Sequence, residues 1–161
     1  MKVFVLSLLI VAVMSISALA QGKSSVEGVW QLTEITMTGK YAMTMKITQP
    51  SVYIFTKTHY SKTYIGSDKP RAVLNDYSKA TQEQLLAIFV DGFDASAGTY
   101  EMKVDKLTLR PTVAKSPSDM REGTWSSYSI KIAGDAITLT PEDSNTGPNK
   151  KKVSFKLTRV E

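Results

Sequence analysis

Gly28-Val29-Trp30 begins the first strand-like segment of the chain, and Leu157-Thr158-Arg159-Val160 ends the last. An up-and-down β-barrel closes by pairing its first and last strands, and these two segments suit that contact. The Trp30 indole can fill the floor of the barrel, while the Arg159 guanidinium stacks on it and donates to nearby carbonyls. We therefore expect structural roles for Trp30 and Arg159 at the closed end of an all-β barrel.

Period-two alternation of apolar and polar residues dominates the rest of the chain, as expected for half-buried strands. Short turn sequences separate the alternating runs, and Gly134-Asp135 is typical of a two-residue hairpin. About eight strands result, which is the number whose barrel interior can hold one small ligand. The predicted strands cover residues 26–37, 51–56, 59–65, 97–105, 107–113, 125–133, 136–140 and 153–160.

One segment, TQEQLLAIF at 81–89, has the composition of a helix. Thr81 suits the N-cap and Gln84 the N3 position of a capping box, and Gly92 suits a helix stop. The sequence therefore predicts one short helix, which could close one barrel mouth. For residues 41–48 two interpretations remain, an extension of the first hairpin or a long loop that overhangs the mouth.

Residues 1–20 have the organisation of a secretory signal peptide. Lys2 precedes an apolar run, and Ala18-Leu19-Ala20 forms a small-residue cleavage site. The run is shorter than the ~20 apolar residues of a membrane span, and no other stretch is suited to cross a bilayer. We expect cleavage before Gln21, a single barrel domain over 21–161 and a secreted or periplasmic location. Because the chain has no cysteine, no disulfide stabilises this domain.

Composition and motifs argue against several classes of protein. The chain has 42% hydrophobic and 22% charged residues, which is typical of a globular protein. Basic residues outnumber acidic ones by 20 to 15, but they are scattered, so we expect no nucleic-acid partner. The one basic run, Lys150-Lys151-Lys152, follows a turn sequence and is interpreted as solvated. With one histidine and no cysteine, we expect no metal site, and no cofactor fingerprint occurs.

Seven residues are candidates for ligand contacts inside the barrel. His59 suits a hydrogen bond to a ligand if it points inward, although its polar segment also suits a surface hairpin. Arg110 lies between Thr108 and Thr112, in a stripe that either clamps a carboxylate inside the barrel or faces solvent. The other five are aromatic, and tyrosine in particular suits an amphipathic ligand because a buried phenol needs a polar partner. These five are Tyr53, Phe55, Tyr64, Tyr100 and Tyr128.

Short motifs distributed over nearly the whole of 21–161 carry a resemblance to a known family. They are Gly28-x-Trp30, Tyr53-Ile54-Phe55-Thr56 followed by His59-Tyr60-Ser61, the predicted helix at 81–89, Ala97-Gly98-Thr99-Tyr100-Glu101, Arg110-Pro111-Thr112-Val113-Ala114-Lys115 and Leu157-Thr158-Arg159-Val160. In this combination the chain resembles bacterial lipocalin-like domain proteins. The resemblance implies an eight-stranded antiparallel up-and-down barrel with a cup-shaped interior and no settled ligand. The second and third motifs of animal lipocalins are not evident, so no animal ligand is carried over.

These features together favour a binding protein for a small hydrophobic or amphipathic molecule. Two alternatives stay open. One is a barrel enzyme, an isomerase or hydrolase that uses His59 or Glu101. The other is a protein-interaction barrel with a filled core. Binding is favoured over catalysis because the sequence offers no evident pair of nucleophile and general base.

Overall fold

The computed structural model describes residues 25–71, 73–90, 92–150 and 152–161. The expected signal peptide and its cleavage site therefore lie outside the described residues. None of the helices in the described part of the chain has the length and hydrophobicity of a membrane span. The strands are β1 (Gly28–Met37), β2 (Met43–Lys46), β3 (Ser51–Phe55), β4 (His59–Ile65), β5 (Phe93–Lys103), β6 (Lys106–Ala114), β7 (Ser126–Ala133), β8 (Ala136–Ser144) and β9 (Val153–Arg159); the α-helix is α1 (Gln82–Phe89), and 3-10 turns lie at Tyr77–Lys79 and Pro117–Met120.

The sheet closes on itself between β1 and β9. Its strands are antiparallel in the order β1-β3-β4-β5-β6-β7-β8-β9, and β9 pairs again with β1 from Trp30 opposite Arg159 to Met37 opposite Val153. The short strand β2 pairs with β1 beyond the segment that pairs with β3. Residues 41–48 therefore extend the first hairpin, which was one of the two interpretations. The architecture is an eight-stranded antiparallel up-and-down barrel with one short α-helix, as predicted.

Trp30 and Arg159 meet at the end of the barrel where the short hairpins turn. The indole is fully buried, and its Nε1 donates to the Val26 carbonyl at 2.8 Å. The Arg159 guanidinium lies 4.0 Å from the centre of the indole ring. It also donates to the carbonyls of Glu27 at 2.8 Å and Ser25 at 2.9 Å. The predicted contact is present, and it ties the start of the described chain across the barrel floor.

Apolar side chains from alternate strand positions fill the lower barrel above this floor. Burial of this apolar surface is the main driving force for folding, since the chain has no disulfide. Fully buried at the centre are Trp30, Leu32, Leu107, Ile137 and Leu157, and the next layer contains Tyr53, Phe55, Tyr60, Leu109, Ile130 and Leu139.

Strand β8 is longer than the sequence pattern predicts. An end at Thr140 is expected because proline cannot donate to a sheet ladder, and Pro141 follows. In the structure β8 continues to Ser144. A bulge in β8 absorbs the irregularity: Pro141 pairs with Tyr128 and Asp143 with Ser127, which leaves Glu142 as the extra residue. The expected end at Thr140 is therefore wrong.

A second bulge interrupts the pairing of β5 with β6 and requires a glycine. Gly98 pairs with Pro111, and the register shifts between Ala97 and Gly98. A Cβ atom at Gly98 would lie 2.1 Å from the Arg110 carbonyl oxygen. No other residue fits this close approach of two backbones. Strand β5 also begins at Phe93, earlier than the predicted start at Ala97.

Helix α1 lies in the connection between β4 and β5, at the open end of the barrel. The predicted capping box is present, because Gln84 donates its N–H to Thr81 Oγ1 at 3.2 Å and the Thr81 N–H donates to Gln84 Oε1 at 2.9 Å. Arg71 and Lys115 donate to carbonyls at the end of the helix, where cations are favoured by the helix dipole. Ile88 is the buried side chain of α1.

Candidate functional site

Four of the seven candidate residues meet at the centre of the barrel. Tyr53, Phe55, Tyr64 and Tyr128 line a void of only about 30 Å³. The rings of Tyr53 and Tyr64 are stacked with their centroids 5.7 Å apart. A void of this size has room for about one water molecule. The centre of the barrel therefore has no room for a molecule larger than water, and the larger openings lie above this layer, at the mouth.

The other three candidates do not line this void. The Tyr100 ring packs edge-on against Phe55 with the centroids 5.3 Å apart, but it lies toward the closed end, where its hydroxyl donates to the Thr56 carbonyl at 2.6 Å. His59 is exposed beside the turn between β3 and β4. Arg110 is exposed on the outer face, next to the buried Leu109. Of the two orientations open for Arg110, the structure has the solvent-facing one, so an anchor for a ligand in the cup must come from another residue.

The two groups on which an enzyme alternative relies also face solvent. Glu101 is exposed, and its carboxylate lies 2.7 Å from Lys103 Nζ. The Nδ1 atom of His59 lies 2.9 Å from the hydroxyl of its neighbour Thr58. The structure does not bring His59 and Glu101 together in a cavity at the mouth.

An ion pair between a largely buried lysine and a partly exposed aspartate lies beside the central tyrosines. Lys62 is on the inward face of β4 between Tyr60 and Tyr64, and its Nζ is 2.7 Å from Oδ2 of Asp94 on β5. The Lys62 side chain is 14% exposed. An ammonium group has three N–H donors. Within the described residues, the one hydrogen bond of the Lys62 ammonium goes to Asp94. Two donors therefore remain for a ligand or for water.

The surroundings of this pair keep Lys62 charged and keep Tyr53 and Tyr64 neutral at physiological pH. Burial opposes the charge on Lys62, but the negative charge of Asp94, together with that of Tyr128 and Tyr53 when they are ionised, outweighs burial and raises the pKa of the ammonium. Burial raises the pKa of Tyr64 to about 12 and that of Tyr53 well above its ordinary value. The interior thus presents a fixed ammonium–carboxylate pair surrounded by phenols.

A polar cavity of about 290 Å³ opens above this ion pair. Its walls are formed by β4 to β8 and by the connections after β6 and β8. Charge is balanced, with two cations, Lys62 and Arg121, and two carboxylates, Asp94 and Asp119. Trp125 contributes an aromatic side chain. Six residues with aliphatic hydroxyls complete the wall, and they are Ser96, Ser118, Thr124, Ser126, Ser144 and Thr146.

A second opening, which we call the lysine groove, has a volume of about 630 Å³. It lies between the turn from β1 to β2 and the start of β9. Its floor is apolar, and its rim carries three lysines without a carboxylate among the lining residues, all of which are described. Those residues are Met37, Thr38, Gly39, Lys40, Tyr41, Lys150, Lys152, Val153 and Phe155.

The lysine groove is adjacent to the central aromatic layer. Phe155 lines both the groove and the central void, and its ring centroid is 6.1 Å from that of Tyr64. Lys150 and Lys152 are exposed, as expected for the basic run, whereas Lys151 lies outside the described residues. The apolar floor beside the two lysines was not expected, because it comes from other segments of the chain.

One of these site residues, Lys62, has a signal in the sequence. Lys62 follows Tyr60 and precedes Tyr64 at period two, so strict alternation places it on the same inward face. A lysine on an otherwise aromatic strand face is unusual, because charged groups are buried only with a partner. Asp94 had no such signal, because it precedes the predicted start of β5.

The closed eight-stranded up-and-down barrel is the architecture of lipocalins. No protein-family model and no curated protein matches the chain. Similar solved structures include a lipocalin-like protein from Bacteroides uniformis, with 12% identity, a TM-score of 0.47 and coverage of 83% of this chain and 97% of that chain. They also include an uncharacterized protein from Bacteroides eggerthii, with 11% identity, a TM-score of 0.46 and coverage of 84% and 100%. By its own strand order, this chain has a lipocalin-like fold.

Proposed function

We propose that this protein binds a small amphipathic anion, with a fatty-acid-like tail, in the lysine groove. The observation that supports this function is the combination of an apolar floor with three lysines and no carboxylate in a cavity of about 630 Å³. Ligand sites are commonly apolar clefts with a few polar groups that fix the orientation of the ligand. A secreted or periplasmic location, expected from residues 1–20, is part of the proposal.

The tail supplies most of the binding free energy in this proposal. Burying roughly 300 Å² of apolar ligand surface at about 25 cal/mol per Å² gives about 7.5 kcal/mol before the cost of association. Micromolar affinity requires about 8 kcal/mol net, so the tail alone is insufficient. Exposed ion pairs contribute about 0.2–1 kcal/mol each. Lys40, Lys150 and Lys152 together therefore favour an acid over the matching alcohol by about tenfold.

The test compares a fluorescent polyene fatty acid with the matching fatty alcohol. We expect the acid to bind more tightly, and the triple variant Lys40→Gln, Lys150→Gln, Lys152→Gln to bind both alike. A matched control removes three exposed lysines from other surfaces, Lys106→Gln, Lys131→Gln and Lys156→Gln, and should keep the preference for the acid. If the control loses the preference equally, the effect comes from net charge and the groove assignment fails.

A separate variant tests the apolar part of the groove. Tyr41 is 75% exposed, and the Lys40 ammonium lies 5.4 Å from its ring centre, so Tyr41→Ser should not affect the core. This variant should weaken acid and alcohol by the same factor and leave their ratio unchanged. If neither probe binds the starting protein, the proposal is overturned, and the alternative of a protein-interaction barrel is favoured.

A further inference from the structure

We infer that the polar cavity is a second binding site, and that its ligand is a neutral polyhydroxylated molecule about the size of a monosaccharide. The site is independent of the proposed function, because the polar cavity and the lysine groove share no lining residue. Its volume of about 290 Å³ is just below the range of drug-sized ligand cavities, which is about 300–1,000 Å³. That size suits one sugar ring and excludes a long amphiphile.

The charges of the cavity favour a neutral ligand. Lys62 and Asp94 already neutralise each other at 2.7 Å, and Arg121 and Asp119 add one further charge of each sign. An ionic ligand would meet equal numbers of both signs and would have to compete with the Lys62–Asp94 pair. Breaking that pair is costly, because it leaves the ammonium of the largely buried Lys62 without its partner. A neutral ligand leaves that pair intact and uses the two remaining donors of the Lys62 ammonium.

The rest of the wall has the hydrogen-bonding character that a polyol requires. Each hydroxyl of the cavity can both donate and accept, as can each hydroxyl of a sugar. Among the described residues, the buried Thr124 Oγ1 has no hydrogen-bond partner. A buried hydroxyl without a partner is costly, and this one is shielded from the cavity in the present rotamer. Because Thr124 lines the cavity, rotation about its χ1 angle would bring Oγ1 to a ligand hydroxyl and form a hydrogen bond that the protein alone does not make. Trp125 lines the same cavity and offers an apolar ring surface for the C–H face of a sugar.

Tryptophan fluorescence and amide NMR shifts report on this site directly. The chain has two tryptophans, and Trp30 is fully buried at the closed end, so a fluorescence change at the mouth comes from Trp125. We expect saturable changes with one or more members of a panel of methyl hexopyranosides, pentoses and inositol, with affinity of millimolar order. The triple lysine-groove variant should bind the same sugar with unchanged affinity.

Thr124→Val separates a ligand-binding role from a structural role. Because the hydroxyl has no partner in the structure, its removal should keep or raise the melting temperature. The same change should weaken sugar binding about tenfold, which corresponds to the loss of one good hydrogen bond. Arg110→Ala, on the outer face, is the control that should leave sugar affinity unchanged.

Three results would overturn the inference. The first is that no member of the panel shifts the amide resonances of the cavity residues at tens of millimolar, a concentration above the expected dissociation constant. The second is that glycine or acetate shifts these resonances at lower concentration than any sugar does, because the ligand would then be ionic. The third is that Thr124→Val lowers the melting temperature without changing sugar affinity.

Discussion

The contact between Arg159 and Trp30 makes a quantitative prediction about how the barrel is closed. Arg159→Ala removes three charge-assisted hydrogen bonds to carbonyls, of which the one to Glu161 is long at 3.4 Å, and a guanidinium that lies 4.0 Å from the centre of the indole. Its side chain is 25% exposed, so each interaction is reduced by solvent. We expect a loss of about 2–4 kcal/mol in the free energy of unfolding. Trp30→Ala truncates a fully buried side chain and should cost about 3–5 kcal/mol.

The double variant tests whether the two side chains act together. The stacking interaction is lost in either single variant, so the double variant loses it only once. We expect the two single losses to exceed the loss in the double variant by about 0.5–2 kcal/mol. Arg159→Lys should recover part of the loss, because lysine keeps the charge. The recovery should be incomplete, since lysine cannot donate as a planar fork to the carbonyls of Ser25 and Glu27.

Urea unfolding followed by circular dichroism measures all of these free energies. Asp135→Ala is the matched control, because Asp135 is 84% exposed and lies 3.7 Å from Arg159 Nε. An exposed pair of this kind should change stability by less than about 1 kcal/mol. A coupling energy within about 0.3 kcal/mol of zero would refute the stacked contact, since that is the additivity expected of independent sites.

Two further predictions concern the upper barrel. Gly98→Ala should destabilise the protein by at least about 1–3 kcal/mol, because the new Cβ atom would overlap the backbone of β6. Gly66→Ala is the control and should be close to neutral in the same urea assay, because no atom lies nearer than 3.4 Å to its Cβ position. Alkali should weaken folding, because the pKa of Tyr64 rises from 10.0 to about 12 on folding. The folded state then holds a proton that the unfolded chain has released, so stability contributed by Tyr64 is complete below about pH 10 and falls by about 2–3 kcal/mol as the pH approaches 12. Tyr64→Phe should remove this share of the pH dependence, and an unchanged dependence in that variant would show that other groups cause it.

The elements that the sequence predicted well depend on local rules. Alternation located the strands that form the barrel, and the capping box of Thr81 and Gln84 located the start of α1. The closing contact of Trp30 with Arg159 was also predictable, because a barrel must join its first and last strands. The extension of β8 past Pro141 was not, because it depends on a bulge at Glu142 of β8, and bulges are features of the pairing rather than of one segment.

The candidate site was harder to predict because its residues converge from distant segments. Lys40 belongs to the turn between β1 and β2, whereas Lys150 and Lys152 precede β9, and no local pattern links these positions. The orientation of Arg110 was undecided because both faces of β6 carry suitable residues. Lys62 is the exception, since its inward orientation follows from alternation once Tyr60 and Tyr64 are placed inside the barrel.

The division of the barrel into a filled base and an open mouth has a physical cause. An interior of eight strands is narrow, and bulky side chains at inward positions of β3, β4, β7 and β9 leave only about 30 Å³ between them. Tyrosines in that layer have polar ends that need partners, and the Lys62–Asp94 pair lies where it can interact with them. In the functions proposed above, selectivity is set at the mouth, where the connections between strands add three lysines to the lysine groove. Strand ends and connections together supply the hydroxyls of the polar cavity. The same barrel can carry many functions. We therefore expect related barrels that bind different ligands to differ in the composition of these connections and to keep the same strand order.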